Sequence, residues 1–108
     1  MALIKDILIG VDFGTGGCKI TAVDAESGAV AAEASVEYPT EFARPGWSEQ
    51  NPADWRDAML KAFAAIARKI DMRGVRALAF DGSTHNAVLL DENYAPVRKT
   101  IKIGRAHV

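Results

Sequence analysis

A single cysteine, Cys18, stands among the 108 residues, so the chain can form neither an internal disulfide nor a cysteine-rich zinc site. A reducing compartment suits such a chain. Charge of one sign is not in excess either: 13 Lys and Arg face 14 Asp and Glu, a formal net charge of -1. That balance gives no field to hold a nucleic acid or an anionic membrane, so any bound anion must be held by local groups. Long apolar runs are missing too. The N-terminal apolar stretch is broken by Lys5 and Asp6 and followed by Asp12, which fits neither a signal peptide nor a membrane span of about 20 residues. The expectation is a cytoplasmic protein with no nucleic-acid and no membrane partner.

What is present is an ordinary globular composition, 49% hydrophobic and 25% charged. Against a prior of about 150 residues per domain, the chain holds one domain at most, or a piece of one. Residues 7–13 are apolar and rich in β-branched side chains, Gly14-Thr15-Gly16-Gly17 interrupts them, and Cys18 to Val23 alternate again, which predicts a hairpin. A second turn at Asp24-Ala25-Glu26-Ser27-Gly28 leads into residues 29–38, with Val30, Ala32, Ala34 and Val36 on one face. Three antiparallel strands follow. Residues 39–52 hold three of the four prolines without periodicity, the mark of an irregular loop.

Asn51 is placed to cap a helix, with Pro52 at its first position and the charge of Asp54 at the positive end of its dipole. Trp55, Met59, Ala62, Phe63, Ile66 and Ile70 then form one stripe, predicting an amphipathic helix over 52–70. After Gly74, residues 75–80 read as a buried strand whose crossover lies over that helix, and residues 87–90 as a short strand turned at Asp91-Glu92-Asn93. Ile103-Gly104-Arg105-Ala106-His107-Val108 is what the codons ATC GGA AGA GCA CAC GTC encode, a string matching a common sequencing-adapter read. Residues 103–108 are therefore expected to be a non-native tail, and His107 carries no functional weight.

Gly10-Val11-Asp12-Phe13-Gly14-Thr15-Gly16-Gly17-Cys18-Lys19 is a strand ending in a glycine-rich turn that enters another strand. A Walker loop or a Rossmann turn needs a helix next, and none follows. Two readings remain. In one, the glycines bring backbone N–H groups to a phosphate chain, the Thr15 hydroxyl adds a donor, and Asp12 suits a hydrated magnesium ion. In the other, the segment is a tight β-turn with a solvated carboxylate.

Asp12, Gly14 and Thr15, with Lys19 four residues on, resemble the first phosphate hairpin of the actin, Hsp70 and sugar-kinase superfamily. Arg44-Pro45-Gly46-Trp47-Ser48-Glu49-Gln50-Asn51-Pro52, followed by Trp55, is similar to the PGWxEQDPxxW segment of FGGY carbohydrate kinases, with Asn51 in place of Asp. Phe80-Asp81-Gly82-Ser83-Thr84-His85-Asn86, followed by Val88-Leu89-Leu90-Asp91, occupies the place of the Gln-Met-His-Gly segment of xylulokinases. His85 matches the substrate-contacting His, while Thr84 stands for Met, Ser83 for Gln and Asn86 for Gly. The resemblance runs over residues 7–101.

The resemblance implies an α/β, ribonuclease H-like (actin-like ATPase) fold of which residues 1–102 are only the N-terminal part: a three-stranded antiparallel meander, a crossover helix and further strands. It implies a kinase moving the γ-phosphoryl group of ATP to a sugar hydroxyl, most simply of D-xylulose or a related ketose or polyol, with magnesium. In that frame Asp12 organises the metal through water, Gly14, Thr15, Gly16 and Lys19 meet the ATP phosphates, and Thr84 and His85 meet the sugar. The general base lies downstream of residue 108, and the full-length protein is a candidate homodimer. Trp47 and Glu49 are expected to pin the long loop. A glycerol kinase-like polyol kinase is the nearest alternative, which Ser83-Thr84-His85-Asn86 does not favour, since an Arg-Glu pair is absent there. A non-catalytic actin- or Hsp70-like nucleotide- or sugar-binding module is the other; it leaves the PGWSEQNP loop without a reason. Half of a layered domain also exposes the sheet face meant for later helices, so residues 1–108 alone are expected to aggregate or fold partly.

Overall fold

The structure, a computed structural model, describes residues 4–103. Of the tail expected at 103–108, all but Ile103 lies outside the described residues. Strand β1 (Ile7–Phe13) buries Ile7, Ile9 and Val11 and turns Leu8, Gly10 and Asp12 to the opposite, exposed face, the period of two that alternating side chains impose. Strand β2 (Gly17–Asp24) returns antiparallel, with Ile20 opposite Val11 and Lys19 opposite Asp12, and β3 (Val30–Glu37) continues the meander. Between them the Asp24 carboxylate accepts from the N–H groups of Glu26 and Ser27, which holds its pKa below the usual carboxylate value.

Helix α1 (Pro52–Ala67) begins as expected: Asn51 Oδ1 accepts from Ala53 N at 3.0 Å, Pro52 opens the first turn and Asp54 lies within it. Its buried line is Ala58, Ala62 and Ile66, with Trp55, Met59 and Phe63 packed at the edges. The small Ala58 and Ala62 let the helix sit close on β2 and β3, where Ile20 and Ala22 are fully buried. It ends three residues earlier than its stripe suggests, because Arg68 and Lys69 bond back three residues in 3₁₀ fashion, leaving Ile70 to pack from outside the helix. Replacing Asn51 by Ala is expected to cost about 1 kcal/mol, read as a lower denaturant midpoint at unchanged slope.

A 3₁₀ turn, Met72–Gly74, leads into β5 (Val75–Gly82), which pairs parallel with β1, so the sheet order is β3-β2-β1-β5. The strand is present but not buried: Val75 is half-buried and the rest exposed, Phe80 to 60%. Leu78 and Phe80 lie in register with Ile9 and Val11, yet α1 packs on β2 and β3 and leaves this edge strand uncovered. The exposed sheet surface expected of a half-layered domain is therefore seen here.

A second, smaller sheet joins β4 (Glu49–Gln50), β7 (Thr100–Lys102) and β6 (Asn86–Ala87) in the order β4-β7-β6, all antiparallel. The loop of 39–52 is thus more ordered than its prolines suggest, since Glu41 and Glu49 also exchange backbone hydrogen bonds. Of the strand expected at 87–90 only Ala87 pairs, beside Asn86, and Leu90 makes one isolated bridge to Pro96. The turn after it forms as expected, with Asp91 Oδ1 accepting from Asn93 N and Ala95 N. Among the described residues no helix is long and apolar enough to cross a membrane.

Candidate functional site

Asp12, the last but one residue of β1, lies on the face opposite α1, in register between Lys19 of β2 and Asp81 of β5. These three side chains, with Gly10, Thr21 and Ala79, line an open cleft on that face. Among the described residues Asp12 makes no ion pair: Lys19 turns instead to Glu33, at 3.6 Å. Asp12 still acts at a distance, because its charge adds to burial in raising the Cys18 pKa. That thiol, 1% exposed, stays protonated and inert.

Beyond Asp12 the turn Gly14-Thr15-Gly16 is closed by Gly14 N donating to Gly17 O at 2.9 Å. Each of its carbonyls is engaged from the protein side. The Tyr38 hydroxyl donates to Gly14 O, Gln50 Nε2 donates to Thr15 O at 2.8 Å, and Tyr38 N donates to Gly16 O at 3.1 Å. Burial, with smaller effects of Cys18 and Asp12, pushes the Tyr38 phenol up to about 12, so its donor proton is kept through the physiological range. Gln50, 1% exposed, also donates to Thr40 Oγ1 at 2.8 Å and accepts from Trp55 Nε1 at 2.9 Å. The N–H groups of Thr15 and Gly16 have no partner among the described residues, and both residues are exposed. A Cβ on Gly16 would stand in open space, whereas one on Gly17 would lie 2.7 Å from Val36 O. Space for an anion therefore exists in front of Gly16.

The second predicted segment is stitched to the first. Ser83 N donates to Phe13 O at 2.8 Å, which brings the loop after β5 to the end of β1. In that loop Thr84 and His85 are exposed, Thr84 Oγ1 lies 3.0 Å from His85 Nδ1, and His85 has a left-handed φ of 60°. Such a backbone costs about 1 kcal/mol or more for a residue with a Cβ, so its surroundings must enforce it. Asn86 Nδ2 bonds Ser83 Oγ at 2.9 Å, Lys102 Nζ bonds Asn86 Oδ1 at 3.0 Å, and Ile103 N bonds His85 O at 2.8 Å. Burial lowers the pKa of Lys102, whose ammonium gives up water for these contacts.

Of the two residues expected to pin the long loop, Glu49 does so: it is buried and receives the Arg98 guanidinium. Trp47 does not. It is 45% exposed, with the Arg44 guanidinium 5.1 Å above its ring, because it stands at the rim of a shallow hollow it shares with Arg98 and Lys102. The residues that tie the loop and its flanks to the turn are Gln50 and Tyr38, which sequence reasoning missed. The available signal was Gln50 itself, an amide one residue before the capping Asn51 and five before Trp55.

The model of the FGGY family of carbohydrate kinases, N-terminal domain, matches residues 7–104. A xylulose kinase of Staphylococcus epidermidis is 34% identical over 101 residues, covering 92% of this chain and 20% of the relative. A glycerol kinase of Verminephrobacter eiseniae is 34% identical over 84 residues, covering 76% of this chain and 16% of the relative. The crystal structure of xylulose kinase from Rhodospirillum rubrum superposes with a TM-score of 0.82 at 28% identity, over 94% of this chain and 21% of that one. The chain thus spans about a fifth of the length of the curated xylulose kinases it matches.

Proposed function

Because the chain belongs to the FGGY family of carbohydrate kinases, we propose that it is the N-terminal part of an enzyme that transfers the γ-phosphoryl group of ATP to a hydroxyl of D-xylulose or a closely related ketose. The observation that carries this reading is the turn at Gly14-Thr15-Gly16, whose carbonyls are engaged from behind while its Thr15 and Gly16 N–H groups have no partner among the described residues.

Phosphoryl transfer asks the protein mainly to position groups and to neutralise phosphate charge. Thr15 and Gly16 offer backbone donors, the Thr15 hydroxyl one more, and Gly14 lets the chain turn between the strands. Lys19, beside Asp12 in register, adds positive charge at the cleft while shared with Glu33. Among the described residues no three ligating side chains converge, and the exposed Asp12 carboxylate, with Asp81 opposite it in register, fits a metal that keeps most of its waters. Asp12 would hold magnesium in that way, and the bound ion would neutralise phosphate charge. Thr84 and His85 would meet the sugar from the loop after β5, with Asn86 and Lys102 holding that loop's shape. The general base and the adenosine pocket belong to downstream chain in this reading. Residues 1–102 are native sequence within it, and residues 103–108 an appended tail; the source DNA beyond the Lys102 codon decides that point.

The likeness to a glycerol kinase favours one second reading, a polyol kinase. ADP release by the full-length protein, measured with D-xylulose, D-ribulose and glycerol, separates the two. Stimulation by a ketose is expected. Stimulation by glycerol alone moves the assignment to a polyol kinase, and ATP binding without stimulation by any of the three overturns the kinase reading in favour of a binding module.

A further inference from the structure

A Gly-Thr-Gly-Gly turn is among the softest a chain can build, since glycine gives up the most backbone freedom on being fixed. Such a turn binds an anion only if its amide planes are prevented from rotating. The peptide unit is planar and trans, so its carbonyl and its N–H point in opposite directions. A donor that draws the Gly14 carbonyl inward therefore aims the Thr15 N–H outward, and one that draws in the Thr15 carbonyl aims the Gly16 N–H outward. Tyr38 is the first donor and Gln50 the second. Rotation of either plane would replace an outward donor by an outward carbonyl oxygen, which repels phosphate.

Resting on the kinase reading above, we propose that Tyr38 and Gln50 are positioning residues that fix the two amide planes of the phosphate turn, one side chain per plane, and so set its affinity for the polyphosphate of the nucleotide. Neither touches the anion. Gln50 suits the task because its amide is committed on all sides: one N–H to Thr15 O, one to Thr40 Oγ1, and its oxygen to the Trp55 indole. A side chain with three partners has no second rotamer that satisfies them, and buried amides left unpartnered are disfavoured. Trp55 lies on α1 and Thr40 on the long loop, so the turn is referenced to both rather than to its own glycines. Tyr38 holds the turn twice, through its hydroxyl on Gly14 and its backbone N–H on Gly16, and only the first contact depends on the side chain.

The test uses the full-length protein, with Tyr38→Phe, which removes one oxygen and keeps the ring, and Gln50→Met, which keeps the volume and removes the donors. Calorimetric affinities for magnesium-ATP and for adenosine are measured beside the KM for sugar. Each variant is expected to bind ATP roughly tenfold more weakly, as misplaced donors require, with adenosine affinity and sugar KM within about twofold of wild type. A purely structural role predicts a different pattern: a lower melting temperature with all three ligand constants unchanged, or all three weakened together. Either pattern overturns the proposal. If Gln50→Met fails to fold, Tyr38→Phe alone decides, since its packing is preserved. Wild-type protein that binds no ATP removes the kinase reading and this proposal together, whereas wild-type binding that both variants share removes this proposal only.

Discussion

Replacing Asp12 by Asn in the full-length enzyme is expected to lower kcat by about 10²- to 10³-fold, the loss typical of removing one group that stabilises transferring charge. The substitution is close to isosteric, and the carboxylate it neutralises is exposed at the end of β1 with no ion pair among the described residues, so the fold loses no contact. The effect must then come from charge. If Asp12 organises magnesium at the phosphates, the variant needs more magnesium for half-maximal rate, while the KM for sugar moves little. An internal control exists in the neighbours. The Asp12 charge is one of the causes that raise the Cys18 and Tyr38 pKa values, and its removal lowers both toward their ordinary positions. A Tyr38 titration that falls while kcat stays within tenfold of wild type would show a carboxylate that is electrostatically present but catalytically idle, the turn-carboxylate reading of the same residues. A fall in both supports the metal-organising role.

The parts of the molecule legible in the sequence are those in which one local rule operates over many residues. The meander shows because alternation runs through seven or eight residues per strand, and α1 because its stripe runs over four turns and begins at a capping Asn and a Pro. The small sheet is illegible for the opposite reason: β4 and β6 have two residues each and β7 three, too short to display any period, and their pairing joins segments some 15 to 50 residues apart. Residues 75–80 have the composition of a buried strand, yet burial depends on what lies over a strand, which composition does not encode. The candidate site divides in the same way. Asp12, Thr15 and His85 announce themselves by motif, whereas Tyr38 and Gln50 act through carbonyls 24 and 35 residues away, a relation visible only after folding.

Gly74→Ala is expected to be the most damaging substitution for stability among the glycines of the described residues. Gly74 is buried where the 3₁₀ turn passes beneath the chain entering β1, and a Cβ there would lie 2.0 Å from Lys5 O and 2.9 Å from Ile4 Cγ2. No rotamer relieves a clash with backbone, so either the Lys5 carbonyl or the turn must move. Movement is resisted on both sides, because Val75, the next residue, pairs with Ile7, two residues beyond Lys5, at the first rung of the only parallel ladder among the described residues. Overpacking usually costs about 1–3 kcal/mol, and a contact this short against backbone belongs at or above the upper end. Gly10→Ala is the matched control: it lies in β1, the strand whose entry Gly74 packs against, its added Cβ meets nothing within 4 Å, and its denaturant midpoint should stay near that of wild type. A Gly74→Ala protein as stable as Gly10→Ala would mean that the entry to β1 is displaced freely. The β1–β5 ladder would then not be what holds Asp12 and the Ser83-Thr84-His85 loop at one end of the sheet. A large loss confined to Gly74→Ala would instead show that the close packing at the start of the ladder stabilises the frame on which both segments stand. That frame matters for chemistry because Ser83 N bonds Phe13 O at the ladder's other end, beyond a register irregularity between Ile7 and Leu8, so one pair of strands carries both the packed entry and the site.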